Sequence, residues 1–159
     1  MIAVCMGILL LLPLVDLGIK YVIETRIVEK EEVPIWKGRI LLRHVRNEGM
    51  ALNVLERYPF LVKWMSALTV IPLAVYFVYL LSKKGRQVEK VSLSLVLGGA
   101  ISNLYDRFVR RYVVDYFGFR SRWECVERIT YNLGDMGIFA GTLGMVMAIF
   151  FRKNKTYFF

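Results

Sequence analysis

The sequence predicts an all-α membrane protein with four transmembrane helices and a small β-containing platform between the first and second of them. Apolar residues make up 57% of the 159 residues, and the mean hydropathy is +0.47, which exceeds what the core of a soluble domain requires. Four apolar segments are separated by polar ones, and the long segment after the first of them has a strand-like pattern. These three observations define the fold class.

The predicted spans cover about residues 2–23, 60–81, 91–109 and 133–151. Each approaches the ~20 residues that a helix needs to cross a hydrocarbon layer of ~30 Å. The third is the least apolar, because SNLYDR makes its second half polar. No basic segment precedes the first span and no small-residue cleavage site follows it, so we predict a retained span rather than a cleavable signal.

Four spans place both chain termini on one side of the membrane, together with the short link 83–90. The longer segments, about 24–59 and 110–132, then share the opposite side. In the first of them, VPIWKGRILLRHVR alternates in part between apolar and basic residues, as a small amphipathic sheet does. Counts and densities of Lys and Arg favour opposite sides, so the positive-inside rule leaves the orientation open. We expect one domain over residues 1–159, because no repeat or linker marks a second.

The formal net charge is +9, yet Lys and Arg are scattered between the apolar segments and form no long basic tract. This pattern favours contact with anionic lipid headgroups over nucleic-acid binding. Cys5 and Cys125 are far apart in the sequence and predict no disulfide framework. We expect membrane lipids, and not nucleic acid, as partners, and we expect a monomer.

Polar residues within or beside the spans are the candidate functional groups. Asp16 and Lys20 are four residues apart near the end of the first span, so they share a helix face and are predicted to pair. Asn103, Asp106 and Arg107 follow i, i+3, i+4 spacing and share a face of the third span. Two pairs of small residues predict close helix packing: Gly98 with Ser102, and Gly137 with Gly141.

Two further carboxylates stand at the borders of the spans. Asp115 follows the third span, and Asp135 opens the fourth. Because the connection between these spans returns to the same membrane face, both residues are held at a similar depth. Asp135 alone is explained by capping of a helix N-terminus, which has free N–H groups and a favourable dipole. Capping does not explain Asp115, nor the polar residues at the same level, which include Asn132.

Two neighbouring carboxylates cannot both ionise at low cost, so they share a proton and can act as base and acid. Hydrolysis of an amide by an activated water needs this combination. His44 is the only histidine, so no zinc site of the HExxH type is predicted. The sequence also lacks a G-x-S-x-G element for a serine nucleophile. We predict neither a metal nor a cofactor.

Two other functions fit the same residues. A small multi-pass transporter or ion-relay protein would use Asp16, Asp106, Asp115 and Asp135 for protons or cations. That function favours acids spread across the bilayer depth, whereas here all four fall at span ends assigned to one face. The third possibility is a catalytically silent relative of such a peptidase that only binds its substrate.

The ordered motifs resemble those of the lipoprotein signal peptidases, the bacterial signal peptidase II family of aspartic peptidases. The motifs are Asp16-x-x-x-Lys20, Asn47-x-Gly49-x-Ala51, GGAISNLYDR (98–107), VVD (113–115) and YNLGD (131–135). Each motif alone is weakly specific, but five in order with matching placement are a specific signal. The resemblance covers about residues 16 to 135, and the four-span layout extends it over nearly the whole chain.

The resemblance implies an intramembrane aspartic endopeptidase that cleaves prolipoproteins just before the diacylglyceryl-modified cysteine and so releases the signal peptide. It implies a multi-pass protein of the bacterial cytoplasmic (inner) membrane, with cytoplasmic termini and an extracytoplasmic platform and active site. Asp115 and Asp135 match the catalytic aspartates of the family. The residues implied to bind substrate or support the site are Asp16, Lys20, Asn47, Gly49, Asn103, Asp106, Arg107 and Asn132.

Four positions near the implied site depart from the usual residues of the family. Arg111 and Ser102 stand where glycines are usual, Leu52 replaces an aromatic residue, and Gly134 replaces an alanine. None of these departures removes a catalytic carboxylate. They predict a divergent member, and they bear on its substrate preference rather than on its reaction class.

Overall fold

The structure is a computed structural model that describes residues 1–29, 31–49 and 55–155. Four long helices form most of it, and one short helix, α4 (Glu124–Glu127), precedes the last of them. Their bounds extend the predicted spans by a few residues. The long helices are α1 (Ile2–Arg26), α2 (Pro59–Ser82), α3 (Gln87–Val109) and α5 (Leu133–Lys155).

Helices α1, α2 and α5 are long and apolar enough to cross a membrane. Helix α3 does not meet the same criterion in the described part of the chain, so the fourth span stays a prediction. Helix α3 can contain more polar residues than the other long helices because it packs against α1, α2 and α5. Its buried residues include Glu89, Lys90, Asn103 and Asp106, and these are enclosed by protein.

Small residues let α5 approach α3 closely. A methyl group added at Gly141 would overlap the carbonyl oxygen of Ser92, and one at Gly99 would overlap the carbonyl oxygen of Gly134. Both positions therefore require glycine if the backbones are to keep their separation. The close packing predicted from the pair Gly137 and Gly141 is confirmed.

A three-stranded antiparallel sheet forms the platform, with strands β1 (Glu32–Ile35), β2 (Ile40–Asn47) and β3 (Val113–Phe119) in the order β1-β2-β3. The prediction placed the platform between the first two spans, and this was incomplete. Strand β3 comes from the segment after α3, because it completes a buried face that β1 and β2 leave open. Val114 and Tyr116 of β3 pack on Ile23 of α1, which joins the sheet to the helices.

Candidate active site

Both candidate catalytic carboxylates line one cavity of about 600 Å³. Asp115 lies on β3 opposite Val45 of β2 and is 4% exposed. Asp135 lies in the first turn of α5 and is half-buried. The predicted polar residues Asn47, Asn103 and Arg107 line the same cavity. The structure therefore brings together residues from four separate motifs.

Asn132 connects the two carboxylates. Its Nδ2 donates to Asp115 Oδ1 at 2.7 Å, and its Oδ1 accepts from the backbone N–H of Asp135 at 2.8 Å. In return, Asp135 Oδ2 accepts from the backbone N–H of Asn132 at 3.1 Å. This reciprocal pair is a capping box at the start of α5. Asp135 thus caps the helix with one oxygen, as predicted for a lone carboxylate, and presents the other to the cavity.

The amides of Asn47 and Asn103 are oriented in the same way as that of Asn132. Asn47 Oδ1 accepts from the backbone N–H of Gly49 at 2.9 Å, and its Nδ2 donates to Asp115 Oδ2 at 2.9 Å. Asn103 Oδ1 accepts from Lys20 Nζ at 2.9 Å, and its Nδ2 donates to Asp135 Oδ1 at 2.8 Å. In each case a donor on the carbonyl side forces the amide nitrogen toward a carboxylate.

Each of the four carboxylate oxygens consequently accepts one hydrogen bond and keeps a second lone-pair direction. Burial, and after it the negative charge of Asp135, raise the pKa of Asp115, while hydrogen bonds from Asn47 and Asn132 lower it, and the net result is a pKa of about 7. A raised pKa means that Asp115 holds a proton at pH values where an exposed aspartate is ionised. The environment therefore favours a pair that carries one proton near neutral pH.

A buried ion-pair network lies behind the carboxylates. Lys20 Nζ contacts Asp16 Oδ2 at 2.8 Å and Asp106 Oδ2 at 2.9 Å, and all three side chains are fully buried. The predicted pairing of Asp16 with Lys20 is confirmed. Arg110 also pairs with Asp106 and contacts Glu24 at 2.9 Å. Since Lys20 also holds Asn103, the network connects α1 to the residue that contacts Asp135.

Arg107 lies on the cavity side of α3. Its Nη2 donates to the carbonyl oxygen of Gly49 at 3.2 Å, and its Nη1 donates to the carbonyl oxygen of Asn103 at 3.4 Å. Its Nε is buried and has no hydrogen-bond partner among the described residues. Asp106, one residue earlier, instead points toward Lys20, so the shared face predicted for this motif divides between the cavity and the network.

The cavity continues from this polar end into an apolar channel between α2, α3 and α5. The polar end and the channel together provide one charged site beside a space for hydrocarbon. Apolar side chains that line the channel include Met65, Val70, Leu73, Val96, Ile138 and Phe139.

Residues 8–151 match the family model described as Signal peptidase (SPase) II. The chain belongs to this family. The resemblance inferred from the motif series is therefore confirmed. A lipoprotein signal peptidase from Halothermothrix orenii is 30% identical over 149 residues, covering 92% of this chain and 95% of that protein. One from Fusobacterium nucleatum subsp. nucleatum is 29% identical over 149 residues, covering 92% of this chain and 86% of that protein.

A solved structure described as a bacterial membrane enzyme, determined at 2.3 Å resolution, has the same fold. It superposes with a TM-score of 0.83, covers 98% of this chain and 92% of its own, and is 20% identical in sequence. A second bacterial membrane enzyme structure has a TM-score of 0.78 and covers 94% of each chain. This membrane-enzyme fold thus extends over nearly the whole chain, which is a multi-pass membrane protein.

Two departures from the usual signal peptidase II residues have a structural account. Arg111 has a φ of 74°, a left-handed conformation in which glycine is the unstrained residue. Ser102 is fully buried, and its hydroxyl donates to Asp16 Oδ2 at 2.5 Å and accepts from Lys20 Nζ at 3.2 Å. The side chain at this position therefore joins the network. Gly134 packs against the carbonyl oxygen of Gly99, and Leu52 lies outside the described residues.

Tyr116 is a site residue that sequence reasoning missed. Its hydroxyl donates to Asp16 Oδ1 at 2.9 Å and accepts from the backbone N–H of Leu133 at 2.8 Å. Leu133 N–H also reaches Asp16 Oδ1 at 3.0 Å, so α1, β3 and the first residue of α5 meet at one point. The only available signal was a tyrosine adjacent to Asp115, which indicates no partner by itself.

Substitution of Tyr116 by phenylalanine should lower turnover about five-fold and stability by about 1 kcal/mol, because one neutral hydrogen-bonding group is lost. We expect the loss in turnover because the hydroxyl helps to position the start of α5, two residues before Asp135. Tyr112→Phe is the matched control, since that hydroxyl donates to Glu24 at 2.8 Å and does not contact the cavity. Equal losses of turnover in both variants, measured on folded protein, would refute a positioning role.

Proposed function

We propose that this chain is an aspartic endopeptidase that removes signal peptides from prolipoproteins by cleaving before the diacylglyceryl-modified cysteine. The observation that carries the proposal is that Asp115 and Asp135 line one cavity and that the side chain of Asn132 hydrogen-bonds to both residues. Membership of the signal peptidase II family supports the reaction class. The apolar channel beside the pair suits a substrate that carries acyl chains.

In the proposed mechanism the two carboxylates share one proton. The ionised member takes a proton from a water molecule, whose oxygen attacks the carbonyl carbon of the scissile peptide. The protonated member donates its proton to the carbonyl oxygen as the carbonyl carbon becomes tetrahedral. The tetrahedral species then collapses and its C–N bond breaks. The carboxyl group that took the proton from water gives it to the leaving amine nitrogen, and the other carboxylate takes a proton from a hydroxyl of the tetrahedral species, which restores the singly protonated pair. Asp115, with its raised pKa, is the better candidate for the initial acid.

The surrounding polar residues have three proposed roles. Asn47, Asn103 and Asn132 hold the carboxylates in position through the amide nitrogens that point toward them. Arg107 offers its guanidinium to the extended substrate, and the carbonyl oxygen of Gly49 helps to hold that guanidinium in place. The remaining three residues act indirectly, by fixing α1 against α3: Asp16, Lys20 and Asp106.

We further propose four spans in the bacterial cytoplasmic (inner) membrane, with both termini cytoplasmic and the platform and active site on the outer side. The central position of α3 supports the fourth span, since its polar residues are enclosed by the other helices. If α3 did not cross the membrane, the two long loops would lie on opposite sides of it. The pairing of β2, in the first loop, with β3, in the second, requires both loops on the same side. We propose a monomer of a single domain as the active unit.

The two other candidate functions make different predictions for the same protein. An ion relay needs acids along the membrane depth, whereas the four acids here gather at one end of the helices around one cavity and one network. A silent homologue would bind a lipidated precursor and leave it intact. Cleavage of a diacylglyceryl-modified precursor by the purified parent protein, measured by gel shift, distinguishes the peptidase from both alternatives. Binding of the intact precursor without cleavage distinguishes the silent homologue from the ion relay.

The pH dependence of cleavage should respond to Asn47. With an Asp115 pKa of about 7, the pair loses its remaining proton as the pH rises through about 7, so the rate should fall on that side. The Asn47 amide stabilises the ionised carboxylate, so Asn47→Ala should raise this pKa and move the falling limb to higher pH. It should also lower turnover about ten-fold or more through the lost positioning of Asp115.

The matched control for this experiment is Glu48→Gln, a neighbouring exposed position, which should leave the profile unchanged. The rate is measured across pH with a lipidated precursor, and the folded fraction is checked at each pH. An Asn47→Ala profile that coincides with the parent profile would place Asn47 outside the catalytic pair.

A further inference from the structure

The end of the sheet farthest from the catalytic pair carries exposed aromatic and basic side chains. The β1–β2 turn (residues 36–39) lies beside the last residue of β3 and the segment that follows it (residues 119–123), since Arg120 N–H donates to the carbonyl oxygen of Arg39 at 3.0 Å. Ile40 also pairs with Phe119. We call residues 36–39 and 119–123 together the tip patch. It lies five residues along β2 from Val45, roughly 16 Å at the usual rise of a strand.

Two tryptophans of the tip patch are largely exposed. Trp36 and Trp123 are both 72% exposed, and Phe119 is 42% exposed. Trp36 has a φ of 48° and Lys37 a φ of 58°, so two bulky residues occupy the left-handed region that glycine or asparagine fills at lower cost. A turn selected only for stability does not require tryptophan there. Exposed aromatic side chains at such a position are typical of a binding surface.

The charge of the tip patch is strongly positive. Its four basic side chains form no ion pair within the described ranges of the chain, and no Asp or Glu belongs to the patch itself. The nearest carboxylate in sequence, Glu124, pairs with Arg128 at 3.0 Å. Four uncompensated cations beside two tryptophans are complementary to an anionic surface of mixed polarity. The four cations are Lys37, Arg39, Arg120 and Arg122.

We propose that the tip patch binds the anionic lipid headgroups of the membrane that the helices cross. Because the sheet packs on apolar helices that are long enough to span a membrane, it stays beside the bilayer, and lipid headgroups are always available as a ligand. Tryptophan rings suit the interfacial layer, and each Lys or Arg near an anionic surface is attracted to it. Binding of headgroups to the tip patch would fix the distance of β3, and therefore of Asp115, from the headgroup layer.

The sequence contains three tryptophans, so paired Trp→Phe substitutions produce three single-tryptophan proteins that retain Trp36, Trp64 or Trp123. Each protein is reconstituted into vesicles of phosphatidylcholine with and without phosphatidylglycerol, together with phosphatidylcholine brominated near the headgroup. We expect the brominated lipid to quench the fluorescence of Trp36 and Trp123, and to quench it more strongly when phosphatidylglycerol is present. Trp64 of α2 is 46% exposed and should be quenched equally in both vesicles.

Charge reversal tests the role of the cations. Lys37→Glu in the Trp36 protein should remove the additional quenching caused by phosphatidylglycerol. Lys84→Glu, an exposed position in the α2–α3 link, is the matched control and should retain it. Quenching of Trp36 and Trp123 only by an aqueous quencher, or equally in both vesicles, would overturn the proposal. An emission change that requires an added precursor protein would overturn it as well, because the occupant would then be protein. None of these readouts depends on cleavage, so they are separate from the proposed enzymatic function.

Discussion

Replacing Lys20 with methionine should destabilise the folded protein by about 3–5 kcal/mol, the usual cost of removing one partner from a buried ion pair. Lys20 contacts Asp16 and Asp106, and none of the three side chains is exposed to solvent. Asp106 retains Arg110, but Asp16 has no other ion pair in the described part of the chain. Methionine keeps the length of the side chain, so the lost stability reports the charge. The measurement is thermal unfolding of the purified protein in detergent.

A second substitution shows whether the lost stability comes from the buried Asp16 carboxylate, which is left without its ion-pair partner. Asp16→Asn in the Lys20→Met background should recover part of the loss, because the uncompensated charge is then gone, although the contacts with Tyr116 are altered. Such non-additivity is expected only for residues that interact. Lys63→Met on α2 is the control, since that ammonium lies 4.1 Å from the centre of the Phe108 ring and pairs with no buried acid among the residues that the structure describes. Unchanged unfolding of Lys20→Met would refute the network account.

Replacing either Asp115 or Asp135 with asparagine should lower the cleavage rate by about a thousand-fold or more, because each removes one half of the acid–base cycle. Asparagine has the shape of aspartate and can still hydrogen-bond to the surrounding amides. It can neither accept a proton from water nor donate one to the carbonyl oxygen. The expected observation is accumulation of uncut lipidated precursor with both variants, while the folded protein is obtained in normal yield.

Asp135→Asn also alters the capping box with Asn132, and this offers a competing explanation. Loss of a cap typically costs ~1 kcal/mol, which lowers stability without abolishing turnover. Unfolding measured beside cleavage therefore distinguishes the two effects. Glu124→Gln is the control for neutralising a carboxylate, since Glu124 is exposed and pairs only with Arg128 among the described residues. It should leave the cleavage rate unchanged.

Much of the fold was predictable because its signals are local. An apolar run of sufficient length shows a span, so the predicted bounds differ from α1, α2 and α5 by only a few residues. The spacing of Asp16 and Lys20 showed their pairing, since residues four apart in a helix share a face. The border positions of Asp115 and Asp135 indicated their common depth. Each of these inferences needs only the period of a helix and the thickness of a bilayer.

The remainder depends on contacts between distant segments. Strand β3 was not predicted because a third strand becomes favourable only when β2 is available for pairing. The hydroxyl of Tyr116 has a role only because α1 and α5 converge on it. The low hydropathy of α3 was an ambiguous signal in the sequence, and its meaning depends on the neighbours that enclose it. The double contact made by Asn132 likewise requires the return of the chain from β3 to α5.

The measurement that tests the central claim most directly is a double-mutant comparison at the catalytic pair. Cleavage rates of a diacylglyceryl-modified precursor are measured for the parent, Asp115→Asn, Asp135→Asn and the protein with both substitutions, at matched folded fractions. If the carboxylates share one proton and act as a unit, the double variant should be little slower than either single variant. Substantial cleavage by either single variant, or losses that multiply in the double variant, would contradict the proposed catalytic pair.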